Sequence, residues 1–424
     1  MRSVRKSLGL LAVGMLVLAT SATAQLPEHV VGADVSFLTR VEEGGASFSA
    51  MGSGVDPIAQ MVSEGFNTFR LRLWHTPAGG TNGLAYTTAL AQRIVGAGGS
   101  WLLDIHYSDS WADPGTQTPP AAWAGLDVET MADSVLAYTN RVLRHLSASG
   151  VSPAAVQIGN EITSGMLWDV ARVGGSFDTP ASWARLAEVL RHAHSAVREV
   201  LPDVPVIVHI DRGGDAAGTQ WFMDNLTAAG YTPDMLGLSY YPWWHGSLQD
   251  LRDTLQRVSS RYGVPAIVLE TAYPWTFSWY DNTHNLVGSG ASLPDGYPAT
   301  PAGQRDFLVA LDETVALQSG RGWIYWAPEW IAAPGFGSSW ENLALFDEDG
   351  AWHHAERLTG VEATPGQPAW SVYPNPSAGL PQSTCPEHLE VFDLQGRPVS
   401  SVALAAGVYV ARCGNLPRKL FVVQ

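Results

Sequence analysis

Glu161 closes the run Val156-Gln-Ile-Gly-Asn-Glu161, and Glu270 closes Ala266-Ile-Val-Leu-Glu270. Each ends a short apolar segment of strand character, and a carboxylate at the C-terminal mouth of a parallel strand is where an α/β barrel keeps its chemistry. Two such carboxylates facing one cleft can cleave a glycosidic bond. One protonates the leaving oxygen while the other attacks the anomeric carbon or activates water. That division of labour requires environments that push the two pKa values apart. Glu161 reads as the acid, raised by apolar walls and by the charge of Glu270, and Glu270 as the nucleophile, held ionised by an arginine beside it. Asn160 is placed to donate to a sugar 2-hydroxyl.

Other side chains of the same chemistry surround this pair. Phe69-Arg70-Leu71-Arg72-Leu73-Trp74 alternates strictly, which puts Arg70, Arg72 and Trp74 on one face of a strand. Unpaired buried charge is costly, so both guanidinium groups are expected to find carboxylates inside the fold, with Asp104 and Glu270 as candidates. A regular strand would likewise turn Gln157, Gly159 and Glu161 to one inward face. Of 17 tryptophans, Trp74, Trp111, Trp243, Trp244, Trp275, Trp326, Trp330 and Trp340 lie beside expected strand ends, where indole faces can stack on sugar rings. His106, His209 and His245, with Asp109 and Asp113, could serve a metallohydrolase. No His-x-His on the first strand and no His-Glu-x-x-His occurs, so no catalytic metal or other cofactor is expected. The oxygen-rich run Asp281-Asn-Thr-His-Asn285 is a candidate for a structural calcium ion.

The elements that must position these groups can be marked as eight short apolar runs: Val30 to Val35, Thr68 to Trp74, Trp101 to Ile105, Val156 to Glu161, Val206 to Ile210, Met235 to Tyr240, Ala266 to Glu270 and Gly322 to Trp326. Between them lie stretches of helical period such as Val128 to Leu146, Ala181 to Val200 and Ala302 to Leu317. This alternation predicts an α/β protein built as a (β/α)8 barrel over residues 25–359. An open doubly wound sheet is the competing architecture, but no Gly-x-Gly-x-x-Gly loop follows the first strand. Residues 360–370 have linker composition, and 371–424 alternate in short pieces that predict a small all-β domain, a β-sandwich, in which Cys385 and Cys413 could pair.

The chain opens with Arg2, Arg5 and Lys6, an apolar run from Leu8 to Leu18 and Ala22-Thr-Ala24, the pattern of a signal peptide over residues 1–24. No later run is long and apolar enough to span a bilayer. Removal of that peptide takes three positive charges and no acid, which moves the formal charge from −16 to −19. Such a balance argues against nucleic acid as a partner and suits a neutral ligand. The two cysteines both lie in the tail, so the main body depends on its apolar core.

Gly32-Ala-Asp-Val-Ser36, Phe69-Arg-Leu-Arg-Leu-Trp74, Asp104-Ile-His-Tyr-Ser-Asp109, Gly159-Asn-Glu161, Leu238-Ser-Tyr-Tyr-Pro242, Glu270-Thr-Ala-Tyr273 and Trp340-Glu-Asn-x-Ala-Leu-Phe346 together resemble the arabinogalactan endo-β-1,4-galactanases of glycoside hydrolase family 53. The resemblance runs from about residue 30 to 358. It implies a barrel of the retaining clan, Glu161 as acid/base, Glu270 as nucleophile, and pectic β-1,4-galactan as the polysaccharide partner; a monomer is expected, secreted by virtue of the signal peptide. Asp34, Arg70, Arg72, Trp74, His106, Tyr107, Asp109, Asn160, Tyr240, Tyr241 and Trp340 fall in or beside these motifs and are expected around the substrate. Trp111, His209, Trp244 and Trp326 join them from their places near strand ends. The chain departs from the family at Tyr325-Trp-Ala-Pro-Glu-Trp330, where Ala327 stands in place of the usual glutamate and Glu329 follows two residues later. In the tail, Tyr373-Pro-Asn-Pro376, Val391-Phe-Asp-Leu-Gln-Gly396, Gly407-Val-Tyr-Val410 and Lys419-Leu-Phe-Val422 resemble the sorting domain of type IX secretion substrates, which implies the secretion machinery as a further partner and release at the cell surface. A carbohydrate-binding module is the alternative for the tail. For the whole, the alternatives are another retaining glycosidase on the same barrel or a noncatalytic glycan-binding protein.

Overall fold

The computed structural model describes residues 25–318 and 320–354, with short stretches between 358 and 423. The expected signal peptide, the linker and the Cys385 to Cys413 pairing fall outside the described residues. Eight parallel strands close into a barrel: β1 (Val30–Asp34), β2 (Thr68–Leu73), β3 (Ser100–Ile105), β4 (Ala155–Ile158), β5 (Val206–Ile210), β6 (Met235–Ser239), β7 (Ala266–Thr271) and β8 (Gly322–Trp326). Strands neighbour one another in chain order, and β8 closes on β1 through pairs such as Ala33 with Tyr325. Every apolar run marked in the sequence overlaps one of these strands.

Helices Pro57–Ser63, Leu84–Gly96, Val128–Ala148, Pro180–Val200, Ala216–Ala228, Leu248–Tyr262 and Pro301–Leu317 cover the outside. Their starts are legible locally. Asp127 caps the Thr130 amide, Thr179 caps Ser182 with Pro180 behind it, and Ser247 forms a reciprocal capping box with Asp250. Outward strand residues such as Phe69, Leu71, Leu103 and Val156 pack against these helices in the main core. The lumen is different. Val30, Leu102, Ala155, Ile207, Met235, Ile267, Leu269 and Ile324 form a separate apolar plug at its lower end. Above the plug the inward positions turn polar, with Arg70, Asp104, Gln157 and His209 all buried.

Two local irregularities aim the glutamates. In β7, Leu238 of β6 pairs with Val268 and Ser239 with Glu270, so Leu269 is left as a bulge. Because Leu269 already faces the lumen, strict alternation would send Glu270 outward, and the bulge turns it back in. In β4 the regular strand ends at Ile158, not at Glu161. Gly159 has φ +88°, and a Cβ there would lie 2.8 Å from Ile162 Cγ2, so only glycine fits. Glu161 follows in a left-handed conformation, φ 47° and ψ 51°. The expected inward alternation of Gln157, Gly159 and Glu161 therefore fails, and Asn160 and Glu161 both reach the site.

Beyond residue 358 the described strands are antiparallel: Leu389–Phe392 pairs with Gly407–Cys413, which pairs with Lys419–Val423. This is the all-β pattern that the alternating sequence predicts. Among the described residues, no helix is long and apolar enough to cross a membrane.

Candidate active site

Arg70 organises the upper lumen. Its Nη1 donates to Asp34 Oδ2 and Glu270 Oε1, both at 2.9 Å. Its Nη2 donates to Asp104 Oδ2 at 2.9 Å and Asn160 Oδ1 at 2.7 Å, and its Nε to Gln157 Oε1 at 3.0 Å. All five N–H donors of the guanidinium are thereby used, with the group 1% exposed. Burial would raise the Asp104 carboxyl, but Arg70 and His106 hold it down to about 2. The expected carboxylate partners of this arginine are thus found, and Asp34 joins them.

Glu161 and Glu270 open into one cavity of about 340 Å³ with Trp111, Tyr241, Trp244, Trp326 and Trp340. Glu270 accepts from Arg70 through one oxygen and from the Tyr241 hydroxyl, 3.0 Å, through the other. Burial, then the Glu270 charge, push the Tyr241 phenol well up, so it remains a donor. Glu161 accepts from the Ser239 hydroxyl at 2.6 Å. Burial, then the charge of Glu270, push Glu161 well above the usual carboxylate range. Burial also raises Glu270, but Arg70 and Tyr241 pull it back. Of the two, Glu161 is raised the more, and Glu270 carries the contacts that favour its ionised form.

The remaining expected residues divide by position. Asn160, Tyr241, Trp111, Trp244, Trp326 and Trp340 line the cavity, with Trp111 39% and Trp244 57% exposed. Asp34, His106 and His209 lie beneath it, buried and bonded within the protein. Asp34 accepts from Ser36 as well as Arg70, and His106 contacts Asp104 at 2.9 Å. Four expectations need correction. Among the described residues, Arg72 meets no carboxylate. Its guanidinium lies 4.1 Å from the Trp111 ring centre, 4.7 Å from Phe37 and 5.5 Å from Trp74, so aromatic faces replace the counter-ion. Tyr107 turns outward to the helix layer, where its hydroxyl contacts Thr139 at 2.7 Å. Tyr240 is fully buried and donates to the Gly246 carbonyl. Asp109 ties two loops together by accepting from the Thr76 and Ala121 amides. Trp74 supports the rim from behind Trp111, 5.5 Å between rings.

Ser239 and Asp211 were not singled out by sequence reasoning, although both border Glu161. Asp211 carries the same strand-end signal as the two glutamates, directly after β5. Ser239 carries none, since a serine in a strand is ordinary. The oxygen-rich loop acts as a staple: Asp281 accepts from the Thr283 and Ser338 amides. Among the described residues, no group of three or more His, Cys, Asp or Glu side chains is placed to hold a metal.

A two-carboxylate cleft on a closed parallel barrel narrows the chemistry, and similarity to known proteins settles the family. The profile of glycosyl hydrolase family 53 matches residues 30–357. The chain belongs to glycosyl hydrolase family 53. It is a glycoside hydrolase of the galactanase family. An arabinogalactan endo-β-1,4-galactanase of Cellvibrio japonicus is 33% identical over 356 residues, covering 81% of this chain and 93% of that protein. An uncharacterized protein of Niallia circulans is 41% identical over 331 residues, 76% of this chain and 90% of its own. Among solved structures, the family 53 catalytic domain of Ignisphaera aggregans superposes with a TM-score of 0.71 at 32% identity, over 79% of this chain and 97% of that one. A fungal β-1,4-galactanase gives 0.69 at 29% identity, over 77% and 97%. Within this family 53 site the departure at the eighth strand has a local form. Ala327 adopts φ 52°, and Glu329 is fully buried, accepting from the Phe37 amide at 3.2 Å. Burial pushes the Glu329 carboxyl well up, against backbone hydrogen bonds and the more distant charge of Arg72.

Ser239 offers a direct test of the Glu161 environment. Asn160 donates through Nδ2 to the Ala112 carbonyl, so its Oδ1 is an acceptor 2.9 Å from His209 Nδ1; in the tautomer with the proton on that nitrogen, His209 Nε2 is an acceptor 2.9 Å from Ser239. With Glu161 ionised, the Ser239 hydrogen serves the carboxylate. With Glu161 protonated, it serves His209. A hydrogen bond to the charged form is the stronger of the two and lowers the pKa. Ser239→Ala is therefore expected to raise the Glu161 pKa further. Since activity is lost as the acid deprotonates, the alkaline limb of the kcat/KM profile moves to higher pH. An unmoved or lowered limb would show that Ser239 does not tune Glu161.

Proposed function

We propose that the protein is a secreted endo-β-1,4-galactanase that hydrolyses pectic β-1,4-galactan by double displacement. The observation that carries the mechanism is the asymmetry of the pair. Glu270 is gripped by a cation and a phenol, as an ionised nucleophile requires, whereas Glu161 has one hydroxyl and a raised pKa, as an acid requires. In the first step Glu270 attacks the anomeric carbon while Glu161 protonates the departing oxygen. In the second, Glu161 takes a proton from water, which attacks the same carbon and releases Glu270. Both steps invert, so the first product is the β-anomer. Proton NMR of galactan digestion at early time checks this, and an initial α-anomer would remove the nucleophile from the scheme. The relatives named galactanases support the choice of sugar.

We propose further that the tail beyond residue 371 directs export by a type IX route, after a signal peptide over residues 1–24 has carried the chain to the periplasm. Every proposed catalytic group precedes it. Truncation after Val361 should leave turnover on galactan unchanged while trapping the enzyme in the periplasm of its host. Normal appearance of the truncated enzyme in the medium would refute the sorting role, and loss of binding to insoluble polysaccharide would mark a binding module instead.

A further inference from the structure

A second cavity, of about 430 Å³, lies between the loop that follows Glu161 and the end of β5, lined by Thr163, Arg172, Phe177, Arg212 and Trp221 among others. It adjoins the catalytic cavity. Asp211 lines the first and Arg212 the second, and the Thr163 hydroxyl donates to Asp211 across the border. In the barrel order β4 and β5 stand opposite β8 and β1, which carry Trp326 and lead into Phe37 and Trp330. A glycan crossing the mouth on this diameter passes Glu161, which follows β4, and Glu270, on β7 beside β8. Glu161 protonates the departing oxygen, so the departing part of the chain runs toward the β4 and β5 end.

We propose that this second cavity binds a neutral pyranose of the leaving-group portion of the glycan, with Trp221, Phe177 and Arg212 as its recognition residues. This rests on the reading of Glu161 as the acid. The chemistry of the lining chooses the ligand class. Trp221 and Phe177 offer aromatic surface of the kind that packs on sugar C–H faces. Arg172 is matched by Asp169 at 3.0 Å, and Arg212 by Asp215 at 3.3 Å and Asp211 at 3.6 Å. Asp178 adds a further carboxylate by accepting from Trp221 Nε1 at 3.2 Å. No positive charge is in excess, which disfavours a uronate or a phosphate. Among the described residues Arg212 Nε makes no hydrogen bond, its carboxylate neighbour Asp211 standing 3.6 Å away, while Arg212 itself lines the cavity wall. The volume falls in the range of small-molecule pockets.

The test compares kcat/KM on β-1,4-galactohexaose with that on 4-nitrophenyl β-1,4-galactotrioside, whose aglycone is too short to reach the cavity. Trp221→Ala and Phe177→Ala should each lower the long-to-short ratio about tenfold, the size of one lost aromatic contact. Ser176→Trp, which fills the exposed mouth without removing a core contact, should lower it similarly and shift the products toward different lengths. Loss of activity through misfolding would depress both substrates together and leave the ratio unchanged. A ratio unchanged in Ser176→Trp and in both alanine variants would overturn the proposal. So would a wild-type preference for uronate-ended oligosaccharides that vanishes in Arg212→Ala. Should the enzyme leave galactan intact but cleave another β-linked glycan, the substrate reading fails, and the same ratio measured on that glycan decides the pocket.

Discussion

Glu270→Ala is expected to abolish turnover on every substrate, by a factor of at least ~10⁴, because the side chain supplies the bond that carries the glycosyl group between the two steps. Glu161→Ala should lose a factor of about 10² to 10⁴ on galactan, the contribution of general acid and base catalysis. It should lose far less in the first step on a 2,4-dinitrophenyl glycoside, whose leaving group departs without a proton. Its glycosyl enzyme would then persist for want of a base, and azide, which needs none, should release it as the β-glycosyl azide. The asymmetry between these variants follows from the contacts: a guanidinium and a phenol on one carboxylate, one hydroxyl on the other. Equal losses on activated substrates, with neither variant rescued, would show that the roles are wrongly assigned. Rescue of Glu270→Ala with formation of an α-glycosyl azide would be consistent with the assignment, since the small anion would then fill the space of the lost nucleophile.

The barrel was legible because its strands are buried on both sides and written as short, largely apolar runs, while the helices between them carry caps such as Asp127 and Thr179. The candidate pair could be marked because each glutamate ends such a run, and both line one cavity. What alternation alone cannot show is where alternation stops. The bulge at Leu269 and the left-handed turn at Gly159 each re-aim a side chain, and only the register of the neighbouring strands reveals them. Arg72 illustrates a second limit. The cost of a buried charge correctly required compensation, but aromatic faces supplied it in place of a carboxylate. Tyr107, Asp109 and Tyr240 sit within motifs that reach the site, yet each turns to a neighbouring loop or helix because its polar atom finds a partner there. A motif carries a backbone segment to the cleft, and the local partners decide which side chains enter it.

Arg70 is where stability and catalysis meet, and Arg70→Met should damage both. Methionine fills much of the volume but leaves Asp34, Asp104 and Glu270 without their shared cation, and an uncompensated buried charge costs about 3–5 kcal/mol. Urea denaturation at pH 7 should show a loss of that size. The sign of the pH dependence follows from Asp104. In the native protein its pKa is held down to about 2, below the value of an unfolded chain, so its contribution is complete above about pH 4 and is lost as pH falls toward 2. Without Arg70 the Asp104 carboxyl loses that pull and burial raises it instead, so protonation relieves it. The stability gap between the variant and the native protein should therefore narrow as pH falls. Activity should fail separately from stability. Glu270 loses its cation and takes up a proton, so the acid limb of the kcat/KM profile should move to higher pH even at temperatures where the variant stays folded. Arg70→Lys would retain the charge but offer three donors to five acceptors, and should fall between the two in stability. A folded Arg70→Met enzyme with an unshifted acid limb would mean that Tyr241 alone keeps Glu270 ionised, and that the arginine serves the barrel and not the reaction.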